Sequence, residues 1–234
     1  MKRGCLVPFA VIAIALIACV ILLFHTAFPS ETIRYRLSLE AEIDGKAVVG
    51  SGVIQVKQFD TTAVFGSMGG AGSETSGEAV VLDLGKSRLV FALLRGATLG
   101  LWEPPSSLLF GAFGDTFGSE TEPLPKIRML QRERPRREVP PKYLPMLVHF
   151  RDINDPKSVE QIDPANFAAT LGAGIALRRV TIEITDDPIT TGIEKRLPWL
   201  PGLKKGGALD GSRSSANNSL ESNLGYLSFK REGM

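Results

Sequence analysis

His149 and Asp152 come nearest, in type and spacing, to an acid–base pair in this chain. An imidazole beside a carboxylate can take and return a proton near neutral pH, which is the chemistry of a hydrolase. The spacing works against it. Residues three apart on a strand point to opposite faces, so contact requires the strand to end between them. Serines are plentiful, but no G-x-S-x-G elbow presents one as a nucleophile. A partly exposed strand histidine is the plainer reading of His149.

The run Asp152-Ile153-Asn154-Asp155 opens like a calcium loop, yet Pro156 follows at once. The glycine and the bidentate glutamate that such a loop needs are missing at their offsets. Cap-and-turn duty explains these carboxylates better. Residues 66–77 (GSMGGAGSETSG) hold no lysine and do not lead from a strand into a helix, so they fail as a phosphate loop and read as a flexible, solvated linker. Both cysteines, Cys5 and Cys19, fall in or beside the N-terminal apolar run. The remainder has no disulfide, thiol nucleophile or cysteine metal site. No pattern calls for a cofactor or a metal.

Two stretches suit contact rather than catalysis. Residues 126–137 (KIRMLQRERPRR) carry Lys126, Arg128, Arg132, Arg134, Arg136 and Arg137 against one glutamate. Such a strip can touch phosphorylated lipids or lipid-linked sugars, at about 1 kcal/mol per charge close to an anionic surface. A solvated loop is the bland alternative, and the prolines argue against a basic amphipathic helix. Leu197-Pro198-Trp199-Leu200-Pro201 is stiff and apolar. It either packs back on the sheet or offers Trp199 to a partner or to the membrane interface.

The elements that must position these residues are mainly strands. Ile33, Tyr35, Leu37, Leu39, Ala41 and Ile43 alternate without a break with polar residues, giving one dry and one wet face. Asp44-Gly45 is a preferred type I′ turn. Residues 46–57 form the return strand, in which Gly50 and Gly52 mark a bulge or a close backbone approach. Residues 78–84 and 88–94 make a second hairpin whose second strand is apolar on both faces. Residues 106–113 form a short helix, while prolines break the rest of 96–145 into extended pieces. Strands follow at 146–150, 176–185 and 226–230, with a polar loop at 206–223. Asp155-Pro156, Asp163-Pro164 and Asp187-Pro188 each set a capping carboxylate before a proline, the second opening a helix over 164–171. The class is α+β, mainly β: an antiparallel sheet of six or more strands with two or three short helices.

This body follows an apolar run. Leu6 to Phe24 are 19 residues without a charge, preceded by Lys2 and Arg3. As a helix they span about 28 Å, one hydrocarbon core. The positive-inside rule puts Met1 in the cytoplasm and residues 31–234 outside. An uncleaved signal anchor over residues 1–30 is the favoured reading, since the run exceeds a signal-peptide core. Cleavage near Ala27 would place His25 where a small residue belongs. Leu16-Ile17-Ala18-Cys19 matches a bacterial lipobox with Cys19 as the lipidated residue, but the apolar residues after it are atypical. Without Lys2 and Arg3, the 27 basic residues fall to the number of acidic ones, 25. The exported part is neutral, which argues against nucleic acid as a partner.

Residues 178–200 (RRVTIEITDDPITTGIEKRLPWL), with the opening strands over 35–56, resemble a group of bacterial membrane-anchored proteins of unknown function. The resemblance implies a bacterial inner-membrane location with a periplasmic domain, and no functional residues. The expected function is a non-enzymatic binding or structural module of the envelope, meeting an envelope protein or anionic lipid. The alternatives are a hydrolase built on His149 and Asp152, and a small-ligand-binding domain.

Overall fold

The computed structural model describes residues 28–97, 105–115, 123–213 and 219–233, together with positions 13, 14, 16, 17 and 19. The chain enters directly into β1 (Ser30–Ile43), turns at Asp44-Gly45 and returns as β2 (Lys46–Asp60). Asp44 and Gly45 both have positive φ, 48° and 81°, as the type I′ turn requires. The register runs unbroken from Ile43↔Lys46 to Ser30↔Phe59. On the other side of β1 lies β9 (Ile175–Ile184), antiparallel, with a register shift at Glu40/Ala41. Strands β3 (Ala71–Glu78), β6 (Arg136–Glu138) and β10 (Lys230–Glu232) complete a six-stranded sheet in the order β10-β3-β2-β1-β9-β6.

The sequence pattern suggests one sheet, and the structure has two. After Glu78 the chain crosses to a second sheet, β4-β5-β7-β8, made of β4 (Val80–Asp83), β5 (Leu89–Gly96), β7 (Pro145–Phe150) and β8 (Val159–Gln161). Gly77, with φ at 144° and room for a Cβ only 3.3 Å from Ile54 Cα, takes the chain around this corner. Gly50 shows how closely the sheets approach: a Cβ there would lie 2.3 Å from Val81 O and 2.7 Å from Leu82 Cα. Only glycine permits that contact.

The smaller sheet is the middle layer. On one side Val90, Ala92, Leu94 and Leu147 meet the dry face of β1 and β2 in the first core. On the other, Phe91, Leu93, Met146, Val148 and Phe150 meet the irregular C-terminal segment in a second core. That explains why β5 is apolar at every position from Leu89 to Leu94. After the one-turn helix α1 (Thr62–Phe65) between β2 and β3, helices α2 (Pro105–Ala112) and α3 (Pro123–Glu133) close the first core with Leu108, Leu109, Ile127 and Leu130.

Several expectations need correction. Residues 71–78 are strand β3 and not linker; their side chains are small, but the backbone pairs with β2 and β10 on either side. The basic strip begins on an amphipathic helix, because Pro123 and Pro125 fall in the first turn of α3, where a missing N–H costs nothing. Helix α4 (Phe167–Leu171) starts three residues late: Asn166 caps it, accepting from Ala169 N–H at 3.2 Å, while Asp163 caps only the Ala165 N–H. Asp187 caps no helix. Its carboxylate accepts from Arg36 and from the Thr185 hydroxyl. The closing segment is a one-turn helix, Tyr226–Phe229, before β10. Apart from positions 13, 14, 16, 17 and 19, which are helical, the expected anchor lies outside the described residues. Among those described, no helix is long and apolar enough to cross a membrane, and Cys19 is exposed with a free thiol.

Candidate functional site

His149 and Glu160 face each other across the β7–β8 pair. His149 Nε2 lies 3.1 Å from Glu160 Oε2, and Arg151 Nε lies 2.9 Å from the other oxygen of the same carboxylate. The hairpin therefore gives the imidazole a partner eleven positions on, not the one three positions on. A carboxylate that fixes an imidazole is the rear half of a catalytic triad. Here a guanidinium claims the other oxygen. Asp152 serves its own loop: Oδ1 accepts from Asn154 N–H at 2.9 Å, and Ser158 Oγ accepts from Asp152 N–H at 3.0 Å. Asp155 caps the 3₁₀ turn that follows, accepting from Lys157 N–H. Among the described residues, no three His, Cys, Asp or Glu side chains converge as a metal group.

The basic strip is divided and largely neutralised. Arg128 meets Glu31 at 2.6 Å, Arg134 meets Asp186, and Arg132 lies 3.8 Å from Glu133. Lys126 is half-buried on α3. Arg136 and Arg137 lie on β6, an edge strand, where charge discourages a further strand from pairing. Arg137 pairs with Asp115, whose hydrogen bond raises the guanidinium pKa, and sits 5.7 Å over the Phe113 ring.

Trp199 packs back on the sheet. Its ring lies 5.3 Å from Phe150 and 5.9 Å from Phe229, and Nε1–H donates to Ile153 O at 2.8 Å. The indole closes the second core.

One cluster escapes sequence reasoning altogether. Glu78, at 3 % exposure, accepts from Ile193 N–H at 2.7 Å and lies 3.2 Å from Lys230 Nζ, itself 16 % exposed. Lys230 also donates to Glu194. The hydrogen bond to Glu194 holds the Lys230 ammonium above its ordinary range, and the same bond holds the Glu194 carboxyl below its own. Glu232 bonds Lys204 and the Tyr226 hydroxyl, which keep its carboxyl low. Glu78 meets two segments more than 100 residues further along the chain, themselves 36 residues apart, so no local pattern announces them. Their chemistry is structural: they bolt the C-terminal layer to the corner where the sheets divide.

Cavities bear on the small-ligand alternative. The space beside Tyr35, Arg95, Pro105 and Tyr143 holds about 20 Å³, room for one water. A cleft of about 330 Å³ opens where the chain enters β1, lined by Phe28, Phe59, Lys57 and Glu74. Burial raises the Tyr35 phenol pKa, and its hydroxyl lies 3.4 Å from Pro105 O.

The fold and these sites define a two-sheet antiparallel β domain with a third, irregular layer, its entry strand at one pole. Comparison with protein-family models, curated proteins and solved structures found no match.

Proposed function

We propose that the chain is a single-pass, membrane-anchored domain of the bacterial envelope, facing the periplasm, that binds an envelope component and catalyses no reaction. The observation that carries this reading is the charge-free run Leu6 to Phe24 behind Lys2 and Arg3, followed within six residues by β1 at Ser30. Six residues reach no more than about 20 Å, so such an anchor would hold the β domain against the bilayer. The resemblance of residues 35–56 and 178–200 to bacterial membrane-anchored proteins points the same way.

The contact surface this reading favours is the outer face of α3, where Arg128 and Arg132 are exposed. Trp199 is a poorer candidate, being spent on packing. The test is site-directed photo-crosslinking of the full chain in bacterial membranes, with and without the double variant Arg128→Glu, Arg132→Glu. Loss of a cross-linked partner from a folded variant is the expected result. An unchanged partner set removes α3 as the contact face.

The hydrolase reading survives in altered form, since His149 has a carboxylate partner in Glu160. Any hydrolytic activity of the full chain that His149→Ala leaves intact ends it.

A further inference from the structure

We propose that the β2–β3 connection is a second membrane contact, its apolar tip of Val64, Phe65 and Met68 entering the interface of the bilayer that holds residues 6–24. The proposal rests on the tether reading above and adds to it a residue-level surface.

Position comes first. Ser30 opens β1 opposite Phe59, and Asp60 N–H donates to Pro29 O at 3.0 Å. The tip therefore departs from the sheet at the point where the chain arrives. The opposite pole, the Asp44-Gly45 turn, lies about 45 Å away along β1.

Composition and exposure follow. No charged residue stands between Asp60 and Glu74. Met68 is 88 % exposed, Phe65 54 % and Val64 45 %. From Phe28 onward the described residues hold five exposed large hydrophobics, and three are in this tip. Isolated apolar residues on a surface mean little, but a cluster on one loop marks a contact.

The tip is also built to keep its shape. Thr61 N–H donates to Gly70 O at 3.1 Å, Gly70 N–H donates to Thr61 Oγ1 at 3.0 Å, and Asp60 Oδ1 accepts from Thr62 N–H at 2.8 Å. Gly66 turns at φ 54°, ψ −130°, a region essentially closed to other residues. A Cβ on Gly69 would lie 2.6 Å from Thr61 O. Polar closure at the base with apolar side chains outward makes sense if those side chains leave water. The nearest charge, the Asp60 carboxylate, is held at the base by the Thr62 N–H, and the next ones are paired, Lys57 with Glu74 at 4.0 Å and Arg128 with Glu31 at 2.6 Å. The occupant is lipid because the apolar run ends within about 20 Å of the same pole. Two attachment points, the entry strand and the tip, would fix the tilt of the sheet and hold the far turn out toward partners.

The test uses the full chain with Cys5→Ala and Cys19→Ala, reconstituted in phosphatidylethanolamine–phosphatidylglycerol vesicles. A fluorophore is attached through Met68→Cys or, at the far pole, Lys46→Cys, and quenched by acyl-chain doxyl lipid. Quenching at position 68 should exceed that at 46 by about threefold, as for a group seated 5–10 Å into the interface. Equal, weak quenching in a chain that stays with the vesicles through an alkaline wash overturns the tip and leaves the tether. Shielding of position 68 from an aqueous quencher without lipid quenching means a protein covers it, and also overturns the proposal. Release by alkali removes the tether and the proposal together.

Discussion

The two faces of the middle sheet are covered in opposite ways. Its first face meets β1, β2 and β9, long strands whose aliphatic side chains interdigitate, with helices filling the ends. Its second face meets 3₁₀ turns and one-turn helices, and the contact is aromatic: Phe91, Phe150, Trp199 and Phe229 stack edge to face or tilted within 6.3 Å. Regular strands carry their own hydrogen bonds to the interface. Irregular backbone carries few, such as Ala79 N–H to Phe229 O at 2.7 Å, so side chains do much of the pinning of the second layer. Glu78, Lys230 and Glu194 supply the pins, and the Glu78 carboxylate takes up the Ile193 N–H that a strand would have paired.

Removing a pin should therefore have the largest effect. Lys230→Met leaves Glu78 buried without its cation, at a cost of about 3–5 kcal/mol. Hydrogen exchange should show residues 193–233 losing protection while β1 and β2 keep theirs. Uniform loss would mean that the two faces open as one unit, and the contrast fails. Gly50→Val attacks the other face, forcing side-chain atoms into the Val81 backbone. It should cost about 1–3 kcal/mol in denaturant unfolding, with the first core opening. A variant as stable as the parent would show that the sheets separate there more easily than the contact suggests.

Acid should divide the faces without mutation. The Glu194 carboxyl is held low in the fold chiefly by its bond from Lys230, so its contribution is whole above the unfolded value of about 4.3 and disappears as pH falls through the folded one. Lys230 is held high, so its contribution is whole below about 10.4 and lost above its folded value. Near-ultraviolet circular dichroism from the aromatic stack should weaken below about pH 4 while the far-ultraviolet strand signal persists. Joint loss of the two signals counts against the contrast. The smallest effect belongs to Trp199→Phe, which deletes the bond to Ile153 O but keeps an aromatic ring against Phe150 and Phe229, about 1 kcal/mol. A loss several times larger would make the indole a pin in its own right.

The same contrast governs what can be read from the chain. β1, its turn and β2 are legible because every second residue is apolar and Asp44-Gly45 accepts positive φ. Leu89 to Leu94 announces a strand buried on both faces, though not that two sheets share the molecule. The corner at Gly77 hides that. β3 is invisible because its pairing is backbone to backbone, and its mostly small residues, among them Gly72 against the Phe59 ring, carry no alternation. α3 hides behind prolines that suit its first turn. The partner of His149 and the pins of the third layer depend on residues distant in the chain, and no spacing rule reaches them. The apolar tip reads as linker until its place beside Pro29 is known.

Under the proposed function, this three-layer domain stays attached to the bilayer through residues 6–24. Intact mass spectrometry of the protein purified from membranes tests it most directly. A retained anchor gives the mass of the full 234-residue chain. A mass lacking residues 1–18 and increased by acyl chains on Cys19 would contradict it, making the protein a lipoprotein free to sort to another membrane.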